Sequence, residues 1–323
     1  MLTPPTSPRI ELCSNLSTLP SIARQGIILG QVINYGSCCI DHVFQVPQFV
    51  SAGETLSSPG YSIFPGGKGL NQSIALAAAG ARVTHVGAVG ADGQWLIDLM
   101  ERDGILTDFT LVVEEPTGQA IIQINPEGEN AIVILGGANH VTHEAPLLEA
   151  FDTATSDDLL LIQNETQNNP LAIELAKSKG VRVAFNMAPM NDFAKSMPLD
   201  LVDYFIVNEI EGEALTQDSN PDGIVQKLLA RYPESAIILT LGSAGVKYAD
   251  ARSEFWQPAF PVDVVDTTGA GDTFTGYFLA TLIETGEVQQ ALKTAAAAAA
   301  LSVTKAGAAT SIPAREAVVA FLS

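Results

Sequence analysis

Between residues 158 and 242 four short, mostly apolar runs recur: "DLLLIQ" (158–163), "RVAFNMA" (182–188), "YFIVNE" (204–209) and "AIILTLG" (236–242). Each is separated from the next by a segment of helix length. An uninterrupted apolar run of this size has no polar face to turn to water, so it reads as a strand covered on both sides. Strand and helix in regular alternation predict a parallel sheet with helices above and below it. The fold class expected is α/β, a three-layer α/β/α core on a mainly parallel sheet.

Upstream the rhythm changes. "IILGQVINYGS" (27–37) reads as the first strand, and "NQSIALAAAGARVTHVGAVG" (71–90) as a helix, its Gly stop and a buried strand. Around the latter lie "HVFQVPQF" (42–49), "TLSSPGYSIF" (55–64) and "TGQAIIQINPEGENAIVILGG" (117–137). The last is a hairpin, because "NPEGEN" supplies turn chemistry between two alternating runs. These pieces fall outside the parallel sheet's rhythm and predict a small β lid, built from segments near 43–65 and 117–135. The α/β domain is expected over 26–323. Residues 1–25, rich in Pro, Ser and Thr, read as a polar extension without the basic start and apolar block of a secretory signal.

The chain has 36 acidic against 16 basic residues, a formal charge of −20. Such a surface repels phosphate backbones and anionic lipid, which argues against nucleic-acid or membrane partners. No run approaches the length of a membrane span. The cysteines are Cys13, Cys38 and Cys39. An odd count with two adjacent is neither a disulfide framework nor a zinc spacing, and predicts a reduced, cytoplasmic protein.

The chemistry gathers in a few loops. In "DTTGAGDTF" (266–274), Gly269, Ala270 and Gly271 can turn their backbone N–H groups toward one point. Phe274, Phe278, Leu279 and Leu282 recur at helical spacing, so a helix begins here and adds its positive end. The product is an anion cradle suited to a phosphoryl group, with Asp272 placed to accept a proton from an attacking hydroxyl. An Asp cap after a Gly turn is the structural alternative. Three consecutive small residues favour a ligand that approaches the backbone closely.

"GGKGLNQS" (66–73) lacks the spacing of a Walker A loop, but its bare glycines precede a helix that carries Asn71, where a small polar ligand can touch backbone. A tight strand-to-helix turn is the plainer reading. "GAVGADG" (87–93) has the wrong spacing for a dinucleotide fingerprint. In "VNEIEGEAL" (207–215), Asn208 and Glu211 lie three apart at a strand end, where an amide and a carboxylate can hold Mg²⁺ through water. "LTLGSAGV" (239–246) puts Thr240, Gly242 and Gly245 at the next strand end, suited to a nucleotide's phosphate tail.

In order and separation, "GGKGLNQSIALAAAGARVTHVGAVGADG" (66–93) and "DTTGAGDTFTGYFLA" (266–280) resemble the two signature regions of the PfkB carbohydrate kinases, the ribokinase-like family. "GENAIVILGGAN" (128–139), "NMAPM" (186–190) and "VNEIEGEALT" (207–216) extend the likeness, which runs from about Tyr35 to Leu322. The resemblance implies a phosphotransferase acting on the primary hydroxyl of a neutral sugar, ribose to ribose 5-phosphate first. Deoxyribose, another neutral sugar or the ribose of a nucleoside are the alternatives, and a non-catalytic sugar- or nucleotide-binding regulator is the reading from another class.

The resemblance also implies roles. Asp272 would be the catalytic base and Gly269, Ala270 and Gly271 the anion hole. Asp41, Gly67, Lys68, Asn71 and Glu165 would bind sugar hydroxyls. Asn208 and Glu211 would organise Mg²⁺ and the ATP phosphates, with Thr240, Gly242 and Gly245 on the nucleotide. Asp266, Thr268, Ser302, Lys305, Gly307 and Ser311 would surround a monovalent cation, K⁺, mostly through backbone carbonyls. Homodimerisation through the β lid is expected.

Two departures from the family pattern stand out. Cys39 occupies the position of an Asn two residues before the sugar-binding Asp, and a thiol is a weaker hydrogen-bond partner than an amide. The helix around Ala295–Ala300 is almost pure Ala where a polar residue usually stands near the adenine. Charge filters the substrate independently: no Lys or Arg falls between Arg102 and Lys177, and Lys68 is the one cation in the sugar motifs. Phosphorylated sugars need cationic partners, so a neutral sugar is favoured. For a nucleoside, Phe44, Phe49 or Phe64 would have to supply a platform for the base.

Overall fold

The computed structural model describes residues 30–141 and 144–323. The N-terminal extension, Cys13 and the start of the first predicted strand lie outside the described residues. In chain order the first elements are β1 (Val32–Tyr35), β2 (Cys39–Gln45), β3 (Gly60–Gly66), α1 (Lys68–Ala78), β4 (Val83–Gly90), α2 (Gln94–Arg102) and β5 (Leu106–Val113). Next come β6 (Gly118–Ile124), β7 (Asn130–Leu135), α3 (Glu144–Asp152), β8 (Leu159–Gln163), α4 (Asn169–Ser178), β9 (Arg182–Asn186) and α5 (Asp192–Ser196). The chain continues through β10 (Tyr204–Asn208), α6 (Glu209–Thr216), α7 (Pro221–Arg231), β11 (Ala236–Thr240), β12 (Val246–Ala249) and β13 (Glu254–Gln257). It closes with α8 (Ala270–Thr285), α9 (Val288–Ser302) and α10 (Arg315–Leu322).

Nine strands form one sheet in the order β13-β12-β11-β10-β9-β8-β1-β4-β5. Every pairing from β5 through β11 is parallel, and only β12 and β13 run antiparallel at the edge. The apolar runs behave as their composition requires. Along β8, Leu159 and Leu161 pack into the core cluster beneath α1, α8 and α9, while Leu160 and Ile162 join the cluster beneath α3, α4 and α7. All four are essentially solvent-free, so each face of the strand has its own covering layer.

A second, four-stranded sheet has the order β3-β2-β6-β7. The 117–137 hairpin forms as its turn residues indicate, with β6 and β7 antiparallel from Gln119↔Leu135 to Ile124↔Asn130. The other two segments are shorter or displaced. The strand ends at Gln45, just before Pro47, and in 55–64 it begins only at Gly60. Proline has no N–H for the ladder, and the Ser58 hydroxyl lies 2.6 Å from both Gln45 O and Gly60 O, with its one proton to give to either, closing a turn instead.

Two features aim the fold at one place. Strands β4 and β5 continue the sheet from one side of β1, and β8 to β11 continue it from the other, so the crevice of this open sheet falls at the carboxyl ends of β1 and β8. Helices α1 and α8 pack directly on each other, and Gly276 makes the contact possible: a Cβ there would lie 2.4 Å from Ala75 Cβ and 2.7 Å from Leu76 N. That close approach brings the first turn of α8 alongside the first turns of α1.

Candidate active site

Helix α8 starts at Gly269, which has a left-handed φ of 75° and no side chain capping the turn. A side chain there would be strained, and its Cβ would press on Ala308 Cα at 2.9 Å. The Ala270 N–H turns back to Thr267 O at 3.2 Å. Among the described residues, the N–H groups of Gly271 and Asp272 have no backbone or side-chain partner, and a Cβ added to Gly271 would meet only open space. Two donors at a positive helix end therefore face outward, the local chemistry of an anion site. Of the three residues expected to form the cradle, Ala270 has its N–H engaged in the turn.

Asp272 sits one step inside this turn and is buried. Its two oxygens are held separately by neighbouring residues of α1: Asn71 Nδ2 donates to Oδ2 at 3.0 Å and Gln72 Nε2 to Oδ1 at 2.8 Å. Asn71 keeps a buried Oδ1 without a partner. An orphaned acceptor beside a carboxylate suits the O–H of a polyol, which can donate to one while its other hydroxyls engage further groups.

The sugar-motif residues surround the same spot. Glu165, just past β8, accepts from the Ser37 hydroxyl and from the Lys68 backbone N–H at 3.1 Å, so it caps α1 from another strand. Gly67, left-handed at φ 92°, turns β3 into that helix. The Lys68 ammonium is held protonated first by Asp272 and, after the opposing effect of burial, by Glu165 and Glu211. Burial, reinforced by Glu165 and Asp272, pushes the Asp41 carboxyl up to about 7. Burial also raises Glu165 and Glu211, partly offset in each case by Lys68. One cation among four carboxylates leaves the region unsuited to an anionic sugar.

Asp41 lies on one face of the small sheet together with Cys39 and, across the ladder, Phe64 and Ala120. Phe44 lies on the opposite face, its ring 4.8 Å from Tyr61. Of the aromatic platforms considered for a nucleoside base, Phe64 shares the Asp41 side and Phe44 does not. The Cys39 thiol is buried and accepts from Asn139 Nδ2 at 3.4 Å.

At the next strand ends the picture differs. Asn208 caps α6 in a closed capping box: its side chain accepts from Glu211 N at 2.9 Å, and Glu211 accepts from Asn208 N at 2.9 Å. Thr240 is the direct neighbour of Asn208 across the β10–β11 ladder, and Gly242 and Gly245 bracket the short turn that follows. No hydrogen bond joins these residues to Asp272 or Lys68 among the described residues. The negative charge of Asp272 reaches Glu211 as the smallest contribution to the upward push on its carboxyl, after burial.

The residues expected around a monovalent cation tie two loops together beside Gly269. Asp266 accepts from Thr268 N (2.9 Å), Thr268 Oγ1 (2.7 Å) and Gly307 N (2.8 Å). Lys305 N closes a turn on Ser302 O at 3.1 Å, and Ser311 is buried with its hydroxyl on Ala308 O. The Lys305 side chain is exposed. The Asp266 carboxylate holds the two loops in place, which leaves nearby backbone carbonyls as oxygen donors of the kind a hard cation takes. No group of three or more His, Cys, Asp or Glu side chains converges as a metal site among the described residues.

Sequence reasoning missed Gln72, Ser37, Gln163, Asn34 and Asn186. Gln163 and Asn186 carried a faint signal, each being the polar carboxyl end of a strand with an apolar middle in "DLLLIQ" and "RVAFNMA".

Comparison with known proteins bears on the family and the fold. The pfkB family carbohydrate kinases match residues 30–315. The chain is 36% identical over 296 residues to the ribokinase of Haemophilus influenzae, covering 89% of this chain and 96% of that one. It is 33% identical over 290 residues to the deoxyribokinase of Salmonella typhi, covering 87% and 95%. The structure of Arabidopsis thaliana ribokinase complexed with ribose and ATP superposes with a TM-score of 0.81 at 29% identity, covering 91% of this chain and 99% of that one. The chain belongs to the pfkB family of carbohydrate kinases, with the ribokinase-like α/β fold. It is accordingly a phosphotransferase.

Proposed function

We propose that this protein is an ATP-dependent kinase that phosphorylates the primary hydroxyl of a neutral pentose, D-ribose to ribose 5-phosphate being the leading reaction. The observation that carries the reading is Asp272: a buried carboxylate with both oxygens oriented, placed at a helix start where the Gly271 and Asp272 N–H groups have no partner among the described residues. The sugar oxygen attacks the γ-phosphorus, its O–P bond forms as the bond to the ADP oxygen breaks, and its proton passes to Asp272. The Gly271 and Asp272 N–H groups and the Lys68 ammonium face the charge on the transferring group, which is where preorganised donors act most strongly. Asp41, Asn71, Glu165 and the Gly67 backbone hold the remaining hydroxyls.

Asn208, Thr240, Gly242 and Gly245 are assigned to the nucleotide, with Glu211 turned toward its Mg²⁺, which neutralises phosphate charge when bound. Asp266, Thr268, Ser302, Lys305, Gly307 and Ser311 are assigned to K⁺ as an activator. The buried, unpaired thiols of Cys38 and Cys39 support a reducing, cytoplasmic setting. No helix among the described residues is long and apolar enough to cross a membrane.

The small sheet is assigned the role of lid and dimer interface. Tyr61, Ile63, Val133 and Leu135 are each more than half exposed, as is Ile134 on the other side, and a second copy of the chain would cover them. A monomeric parent protein in light scattering, or an unchanged dimer in Val133→Asp, would remove that assignment. Deoxyribose is the second substrate reading, favoured by Cys39: a thiol beside Asp41 costs one hydroxyl contact that a deoxy sugar does not need.

A coupled assay with ribose, deoxyribose, fructose and adenosine, with and without K⁺, tests the proposal. Ribose turnover stimulated by K⁺ is expected. Rapid adenosine turnover with none on either pentose would replace it with a nucleoside kinase, and no turnover on any of them would favour a regulator.

A further inference from the structure

Beneath Asp272 runs a chain of four amides drawn from separate parts of the sequence, three of them buried and Asn186 half-buried. Asn34 Nδ2 donates to the backbone carbonyl of Gly69 at 2.8 Å and to Ser73 Oγ at 2.7 Å. Gln163 Nε2 donates to Asn34 Oδ1 at 2.9 Å and to Gln72 Oε1 at 2.7 Å. Gln72 Nε2 donates to Asp272 Oδ1 at 2.8 Å and to Asn186 Oδ1 at 3.1 Å. Asn186 Nδ2 then reaches the backbone carbonyl of Ile206 at 3.3 Å. Asn34, Gln72 and Gln163 are each 0% exposed.

The order of donors and acceptors in this chain is forced. A backbone carbonyl can only accept, so Gly69 O requires Asn34 to point its NH₂ there and leaves its oxygen for Gln163. Gln163 must then donate to Gln72, whose oxygen is used up, so the Gln72 NH₂ is what remains for Asp272. The Asn186 branch gives the same answer from the Ile206 carbonyl. Flipping Asn34, Gln72 or Gln163 would set oxygen against oxygen among side chains with no solvent exposure. Two backbone anchors in different parts of the fold thus dictate that Asp272 receives an N–H on Oδ1.

We propose that Gln72 is a positioning residue for Asp272: held by Gln163 and Asn186, it fixes the carboxylate's rotation so that the other oxygen, shared with Asn71, meets the sugar hydroxyl. This inference rests on the reading of Asp272 as the base. Gln72 does not touch the reacting atoms. Losing a charge-assisted bond that holds a carboxylate in place predicts a fall in kcat of roughly 10- to 100-fold, with little change in sugar affinity.

The experiment compares Gln72→Met, Gln72→Glu and Asp272→Asn in the full-length protein, by kcat and KM across pH 5.5–9 together with melting temperature. Gln72→Met keeps the length but cannot donate, and kcat should fall about 10- to 100-fold while both KM values stay within about threefold. Gln72→Glu can donate to Asp272 only while it carries a proton. Its kcat should exceed that of Gln72→Met at the acid end and lose that advantage as pH rises, an alkaline fall absent from the parent. A residue that only filled space would lower the melting temperature of both variants without separating their pH profiles. Equal profiles, or parent-like kcat in Gln72→Met, would overturn the inference. If Asp272→Asn itself kept substantial turnover, the base assignment would fail first, whatever the Gln72 variants did.

Discussion

Two helices begin at this end of the molecule in opposite ways. Helix α6 starts at Asn208 in a closed box: the Asn208 side chain accepts from the Glu211 N–H, and Glu211 accepts from the Asn208 N–H. Helix α8 starts at Gly269 with no side-chain cap, and Gly271 faces open space. A capped start stabilises the helix, and an open one leaves donors for a ligand at some cost in stability. The acidic residue at the third helical position follows the same division. Glu211 is turned back onto its own helix, whereas Asp272 is turned across to α1. Equivalent positions in the fold thus separate into a capped end and an open end.

The sharpest way to break the comparison is Asp272→Asn. If the open end carries the chemistry, turnover should fall by about 10²- to 10⁴-fold, the usual contribution of a general base, while sugar binding by calorimetry stays within a few-fold. Next in size is Gly271→Ala. The added methyl meets no protein atom and the position is helical, so the melting temperature should hold or rise. The methyl would stand in front of the free donors, and kcat should drop on the order of 10²-fold. Loss of stability with intact turnover would return this turn to the status of a plain helix start.

Asn208→Ala should invert that outcome. Removing a cap costs about 1 kcal/mol, seen as a lower melting temperature, and the displaced Glu211 should raise KM for ATP while KM for the sugar is unchanged. A loss of kcat as large as that of Gly271→Ala, without a thermal effect, would show that the two helix ends are not different in kind.

The smallest effect concerns Asp41. Burial, with Glu165 and Asp272 nearby, lifts its carboxyl from 3.8 to about 7, and a sugar hydroxyl donates best to the ionised form. KM for the sugar should therefore fall as pH rises through 7, by about tenfold at most between pH 6 and 8, and Asp41→Asn should flatten the dependence. The sign for folding runs the other way. A carboxyl raised above its unfolded value favours the folded state when protonated, so the sugar-free protein loses stability as pH climbs from about 4 to about 7. Melting temperatures with and without sugar would separate the two effects.

Much of this comparison is legible in the residues themselves. The spacing of Phe274, Phe278, Leu279 and Leu282 announces α8, and the small residues ahead of it announce an uncapped turn. Asn208 and Glu211 stand three apart, which is the signature of a capping box as much as of a metal site. The strands of the small sheet are less readable, because Pro47 and Pro59 end pairing inside runs whose composition looks continuous. Gln72 is not readable at all. It stands 200 residues from the carboxylate it holds, and nothing in "GGKGLNQS" distinguishes it from a polar residue facing water.

Local chemistry acts over a turn or two of chain, so the amino-acid order alone determined which segments are strands and helices, which turn is left open, and how few cations stand near the sugar motifs. Which oxygen of Asp272 meets which amide is a question about groups brought together by packing. It was decided only when α8 closed on α1 over Gly276 and the sheet set Gln163 and Asn186 side by side. Hydrogen bonds are directional and reach about 3 Å, so their pattern is a property of the assembled tertiary structure and is written in no single stretch of the chain.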